Sequence, residues 1–164
     1  MNEVKTNNVH LIKGDCLEVM KNIKDKSVDM ILCDLPYGTT VNKWDTVIPF
    51  ETLWEQYNRI IKDNGAIVLF SQMPFTAKLV LSNYKNFRYE WIWEKDTPTG
   101  FLNAKKMPLK KHENILIFYK KLPTYNPQWG QGKPYTRIGG IKYSTNYHTE
   151  RNYVANVIND GRRY

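Results

Sequence analysis

The chain is short of cysteine, histidine and long apolar runs, and each shortage removes a class of protein. Among 164 residues it has two cysteines, Cys16 and Cys33, and three histidines, His10, His112 and His148. No Cys-x-x-Cys pair occurs and the histidines stand far apart, so the ligand spacing of a zinc site is missing. Both cysteines sit beside apolar runs and read as reduced, mostly buried thiols. No stretch approaches the roughly 18 apolar residues of a membrane span, and the opening MNEVKTNNVH carries no apolar signal region. Both shortages point to a cytoplasmic protein with no membrane partner. Internal repeats and low-complexity blocks are missing too.

Acidic residues are scarce in one part only. Residues 1–104 carry 12 Lys/Arg and 13 Asp/Glu, a net of −1, whereas residues 105–164 carry 12 and 3, a net of +9. That asymmetry points to a polyanionic partner, and the commonest strong polyanion is a nucleic-acid backbone. The alternative is a solvated basic face. The hydrophobic fraction of 41% and charged fraction of 24% suit a folded core, and the length suits one domain.

Val9 to Ile12 is a short apolar run closed by Gly14-Asp15, which reads as a buried strand and a turn. Leu17 to Ile23 has helical spacing with Asp15 as N-cap. Val28 to Cys33 is a second strand, stopped by Asp34-Leu35-Pro36-Tyr37-Gly38. Pro49 to Ile61 predicts an amphipathic helix, Ala66 to Phe70 a strand and Thr76 to Ser82 a helix. Phe87 to Trp93 alternates like a strand. Asn114 to Tyr119 is so uniformly apolar that it predicts a central one. The segment 94–113 between these two reads as a polar, basic loop. Strands alternating with helices predict an α/β fold with a mostly parallel sheet and an antiparallel edge strand. The predicted division is an α/β domain over 1–122 and a basic irregular region over 123–164.

The chemistry concentrates at the end of the second strand. Asp34 places a carboxylate at the sheet rim. Pro36 biases residue 35 towards an extended conformation, so the chain aims the Leu35 carbonyl. Tyr37 adds a flat aromatic face, and Gly38 lets the chain turn away. Two acceptors beside a stacking face suit a planar base with an NH2 group. Drawing both amine hydrogens towards acceptors localises the nitrogen lone pair, which can then attack an electrophilic methyl.

Asp34-Leu35-Pro36-Tyr37 resembles the (Asp/Asn/Ser)-Pro-Pro-(Tyr/Phe/Trp) motif of the amino-methyltransferases that act on DNA. GDCLEVM at 14–20, SVDMILCDLPYGTT at 27–40, DNGAIVLF at 63–70, RYEWIWEK at 88–95 and HENILIFYKK at 112–121 are similar to that family's N-terminal half, in order. The family is the type whose catalytic motif precedes its cofactor motif. Leu35 replaces the first proline, which leaves the carbonyl in place and gives residue 35 more freedom.

The resemblance implies a Rossmann-like methyltransferase sheet, S-adenosylmethionine as cofactor, double-stranded DNA as substrate and a restriction-modification setting. It implies Asp34, Leu35, Pro36 and Tyr37 as the catalytic set, with Asp15, Cys16 and Asp34 on the cofactor side. Aspartate at the first motif position implies adenine, with cytosine-N4 methylation and a non-catalytic DNA-binding remnant as alternatives. Lys105, Lys106, Lys110, Lys111, Arg137 and Lys142 are the candidate DNA contacts. No Phe-x-Gly-x-Gly cofactor loop occurs, so the chain is expected to stop before it and to need a C-terminal half or a second subunit.

Overall fold

The computed structural model describes residues 2–128 and, beyond them, the strand segments 130–131, 135–137, 141–144, 149–152, 157–159 and 162–163. The chain divides into two compact units, 1–124 and 125–164.

In the first unit, β1 (Asn2–Lys5) and β2 (His10–Lys13) form an antiparallel hairpin. The run predicted as a buried strand is therefore a two-stranded ribbon, and Leu11 is 61% exposed. An apolar run this short has the composition of a core strand without having found a sheet. α1 (Cys16–Met20) follows, ending three residues earlier than its spacing predicts, and buries only Met20.

β3 (Val28–Asp34), β4 (Ile61–Ser71), β5 (Phe87–Thr99) and β6 (Lys110–Phe118) form the main sheet, in the order β3-β4-β6-β5. β3 and β4 are parallel, and β6 is antiparallel to both β4 and β5. Three strands thus run one way and the reversed strand, β6, is inserted between two of them. The prediction put the reversed strand at the edge. Its apolar sequence is explained by its internal place, flanked by a strand on each side.

The predicted 94–113 loop is half strand. β5 runs on to Thr99 and β6 begins at Lys110, leaving a connection with one 3-10 turn at Phe101–Asn103. Polar composition marked this stretch as loop because an edge ribbon projecting from a sheet can be polar on both faces.

α2 (Phe50–Ile60) and α3 (Phe75–Ser82) cover one sheet face. Leu53, Tyr57 and Ile60 recur at helical spacing and are buried with Trp54. They meet Ile67 and Leu69 of β4 and Leu116 and Phe118 of β6 in a single cluster. Arg59 ties α1 to this layer by donating to the carbonyls of Met20 and Ile23 at 2.5 and 2.8 Å. Carbonyls at a helix end lack i+4 donors; that of Met20 also accepts from the Ile23 N–H at 2.9 Å.

The second unit, predicted as irregular, contains three antiparallel pairs among the described residues. β7 (Gly130–Gln131) pairs with β12 (Arg162–Arg163), β8 (Tyr135–Arg137) with β11 (Val157–Asn159), and β9 (Ile141–Ser144) with β10 (Thr149–Asn152). The pairs are nested one inside the next. Strands of two to four residues are too short for alternation to register in the sequence.

Candidate functional site

β3 delivers the motif to the sheet's carboxyl edge. Asp34 stands opposite Phe70 and on the same face as Met30 and Leu32, and it is exposed. The next residue turns the other way. Leu35 is only 5% exposed and belongs to the main core, so its buried side chain anchors the backbone that carries its carbonyl. Packing thus restrains the residue at this position.

Tyr37 returns to the rim. Its hydroxyl donates to Asp34 Oδ1 at 2.6 Å, and its ring lies against Phe75, centroids 5.1 Å apart and planes 34° apart. Phe50 supports Phe75 from behind at 5.7 Å. Burial first, and then the bond to Asp34, push the Tyr37 hydroxyl well above the usual phenol range. It therefore stays a neutral donor at physiological pH. An ionised carboxylate offers about four acceptor positions, and this bond uses one.

The chain then turns at Gly38, whose φ of +68° is the left-handed region that favours glycine. An added Cβ would also stand 2.9 Å from Val47 Cγ2. Asp45 holds the turn. One of its oxygens accepts from the Gly38 N–H at 2.8 Å, and the other accepts from the N–H groups of Thr39 and Thr40 at 2.8 and 2.7 Å. Asp45 is 7% exposed. These bonds, the Gly38 one foremost, hold its carboxyl down at about 2. Gln72, just past β4, lies between this turn and β6: its amide donates to Thr39 Oγ1 at 3.5 Å and its carbonyl accepts from Lys110 Nζ at 2.8 Å.

The residues assigned to the cofactor sit beyond the β1–β2 hairpin. Asp15 is exposed and caps α1, accepting from the Leu17 N–H at 2.8 Å. Cys16 is exposed, against the expectation of a buried thiol, in a helix that buries only Met20. Cys33 is half-buried, and burial raises its thiol's pKa. Leu17, next to Cys16, and Cys33 of β3 pack against the same core cluster.

The basic candidates separate. Lys105 and Lys106 are exposed in the β5–β6 connection. Lys110 and Lys111 belong to β6 and not to a loop, and both have partners: Lys110 bonds Gln72, and Lys111 pairs with Glu94 at 2.7 Å. Burial lowers the pKa of the Lys110 ammonium. Arg137 and Lys142 fall on β8 and β9, and their side chains lie outside the described residues. No cluster of metal-binding side chains occurs among the described residues. Asp45, Gln72 and Phe75 escaped the sequence reading. Asp45 had a signal, since a glycine turn leaves backbone donors that a nearby acid can accept.

No family model matches the chain. Curated relatives do. Type II methyltransferase M2.MboI of Moraxella bovis is 32% identical over 117 residues, covering 56% of this chain and 42% of that protein. DNA adenine methyltransferase YhdJ of Escherichia coli (strain K12) is 28% identical over 136 residues, covering 76% of this chain and 44% of that protein. The chain is similar to one part of the DNA amino-methyltransferases. It spans less than half the length of these relatives. Solved structures show the same fold. PvuII DNA methyltransferase (cytosine-N4-specific) superposes with a TM-score of 0.51 at 14% identity, covering 67% of this chain and 49% of that one. The Thermus thermophilus DNA modification methylase TTHA0409, complexed with S-adenosyl-L-methionine, gives 0.50 at 19% identity, covering 70% and 56%. The mixed sheet is thus a Rossmann-like methyltransferase sheet, and the similarity to amino-methyltransferases first seen in the Asp34–Tyr37 motif extends over much of the chain.

Proposed function

We propose that this chain carries the base-facing part of a DNA methyltransferase that transfers a methyl group from S-adenosylmethionine to the exocyclic amine of adenine. The observation that carries the reading is the exposed Asp34 carboxylate at the end of β3, joined at 2.6 Å to a Tyr37 whose ring is backed by Phe75. Asp34 and the Leu35 carbonyl accept the two amine hydrogens of an extruded base, and Tyr37 stacks on its ring. Pinning both hydrogens favours a pyramidal nitrogen and localises its lone pair. Orientation of this kind is worth up to roughly 7–11 kcal/mol in favourable cases. Extrusion costs a few kcal/mol, because the target amine is otherwise hidden in the base stack.

The donor set fits the adenosyl part of the cofactor: an exposed carboxylate at Asp15 beside an exposed cysteine side chain at Cys16. Those two residues, with Asp34, would hold it. When bound, the cofactor supplies an electrophilic methyl. Lys105 and Lys106, both exposed, suit contacts to the phosphate backbone of double-stranded DNA, which position the duplex without reading its sequence.

Aspartate at the first motif position and the relative named as an adenine methyltransferase favour adenine over cytosine-N4. The net charge of +9 over residues 105–164 supports a second reading, a non-catalytic DNA-binding remnant of such an enzyme. The test is to incubate the chain with tritiated S-adenosylmethionine and unmethylated DNA, alone and with the C-terminal part of a relative, and to identify the labelled nucleoside. N6-methyladenine supports the proposal and N4-methylcytosine redirects it. Asp34→Ala should lower transfer by about 100-fold or more. Full activity in that variant removes Asp34 from the mechanism. Calorimetry showing no affinity for S-adenosylmethionine, in either setting, leaves only the DNA-binding reading.

A further inference from the structure

One buried acid serves the candidate site without facing it. Asp45 lies eleven residues beyond Asp34 in the chain and is 7% exposed, yet it makes no ion pair among the described residues. Its two oxygens are committed to three successive backbone donors, those of Gly38, Thr39 and Thr40. The segment from Leu35 to Pro49 forms no helix or strand, so these bonds do the work that a ladder does elsewhere.

We propose that Asp45 is a positioning residue of the base site: by gathering the Gly38, Thr39 and Thr40 amides onto one carboxylate, it fixes the turn that sets Tyr37 against Asp34. The inference rests on the base-site reading above and adds a residue to it. Tyr37 adjoins the first clamped amide, so a shift of the turn moves its ring directly. A hydroxyl–carboxylate bond of 2.6 Å and a ring contact of 5.1 Å both tolerate little displacement. Charge matters as well as shape. The carboxylate presents acceptors on both oxygens, whereas an asparagine of the same volume turns an NH2 towards at least one of the three amides. Gln72, bonded to Thr39 and to Lys110, is a weaker second tether on the same turn.

The experiment uses ultraviolet crosslinking of the full chain to unmethylated duplex DNA of mixed sequence, with nucleotide adducts mapped by mass spectrometry. DNA affinity is measured in parallel by fluorescence anisotropy. The wild type should form an adduct on Tyr37. In Asp45→Asn that adduct should fall on the order of tenfold, while DNA affinity stays within about twofold because phosphate contacts set it. A purely structural role would lower adduct and affinity together, and that result overturns the proposal. An undiminished Tyr37 adduct in Asp45→Asn also overturns it and leaves the base-site reading standing. No Tyr37 adduct in the wild type removes the base-site reading and this one with it. Should Asp45→Asn fail to fold, Asp45→Glu decides: it keeps the charge and shifts both oxygens by one methylene. An adduct in Asp45→Glu as strong as in the wild type refutes the positioning role, and a weaker one at unchanged affinity supports it.

Discussion

The two faces of the main sheet have nearly the same composition and opposite fates. On one, Leu69, Leu116 and Phe118 are fully buried beneath α2 and α3. On the other, Val68, Ile115 and Ile117 form a small second cluster, but Met30, Leu32, Trp91 and Trp93 around them are 50–59% exposed. Among the described residues no helix packs on this second face, and β3 has no strand on its outer edge. Burial is therefore a property of what an element meets and not of its own residues. Asp34 ends β3 on the open face, while Leu35 and Tyr37 turn back into the covered one. The candidate site lies where the two meet.

The comparison can be broken by truncating each face in turn. Phe118→Ala removes a fully buried ring and should cost about 3–5 kcal/mol, read from the urea unfolding midpoint; a cost below about 1 kcal/mol would mean that the helical layer is not the core. Arg59→Ala removes one donor from each of the carbonyls of Met20 and Ile23 and should cost about 1–3 kcal/mol. Leu32→Ala on the open face should cost less than about 1 kcal/mol in the same assay. A loss as large as that of Phe118→Ala would show that the second face is covered in solution.

The smallest effect is one of pH. The Asp45 carboxyl is held at about 2, against about 3.9 in an unfolded chain. A depressed carboxylate contributes stability that is complete above its unfolded value and is lost as pH falls through its folded one. Lys26 depresses Asp63 in the same direction. Thermal stability should be flat above about pH 5 and decline between about pH 4 and 2. Asp45→Asn should flatten part of that decline, and an unchanged profile would detach Asp45 from the turn.

Much of the core was legible because it obeys simple periods. The spacing of Leu53, Tyr57 and Ile60 marks α2, the run around Leu32 marks β3, and the apolar stretch at Asn114–Tyr119 marks an internal strand. Asp15 was readable as a cap because a side chain two residues before a helical amide has only local geometry to satisfy. The failures share a cause. Val9–Ile12 and 94–113 were misjudged because composition reports what a segment tolerates and not what it pairs with.

At the site, local chemistry was enough to nominate Asp34, Leu35, Pro36 and Tyr37, since a carboxylate, a restrained carbonyl, an aromatic face and a glycine turn are all written within five consecutive residues. What the sequence determined by itself was therefore the helix periods, the strand ends and this motif, each a matter of neighbours along the chain. Tertiary structure alone decided that Leu35 points into the core, that Phe75 backs Tyr37, that Asp45 closes the turn and that Lys110 reaches Gln72. The named pairs join residues separated along the chain by between five and 38 positions. Only the closing of the sheet, and the burial that comes with it, sets which of many chemically adequate partners they meet.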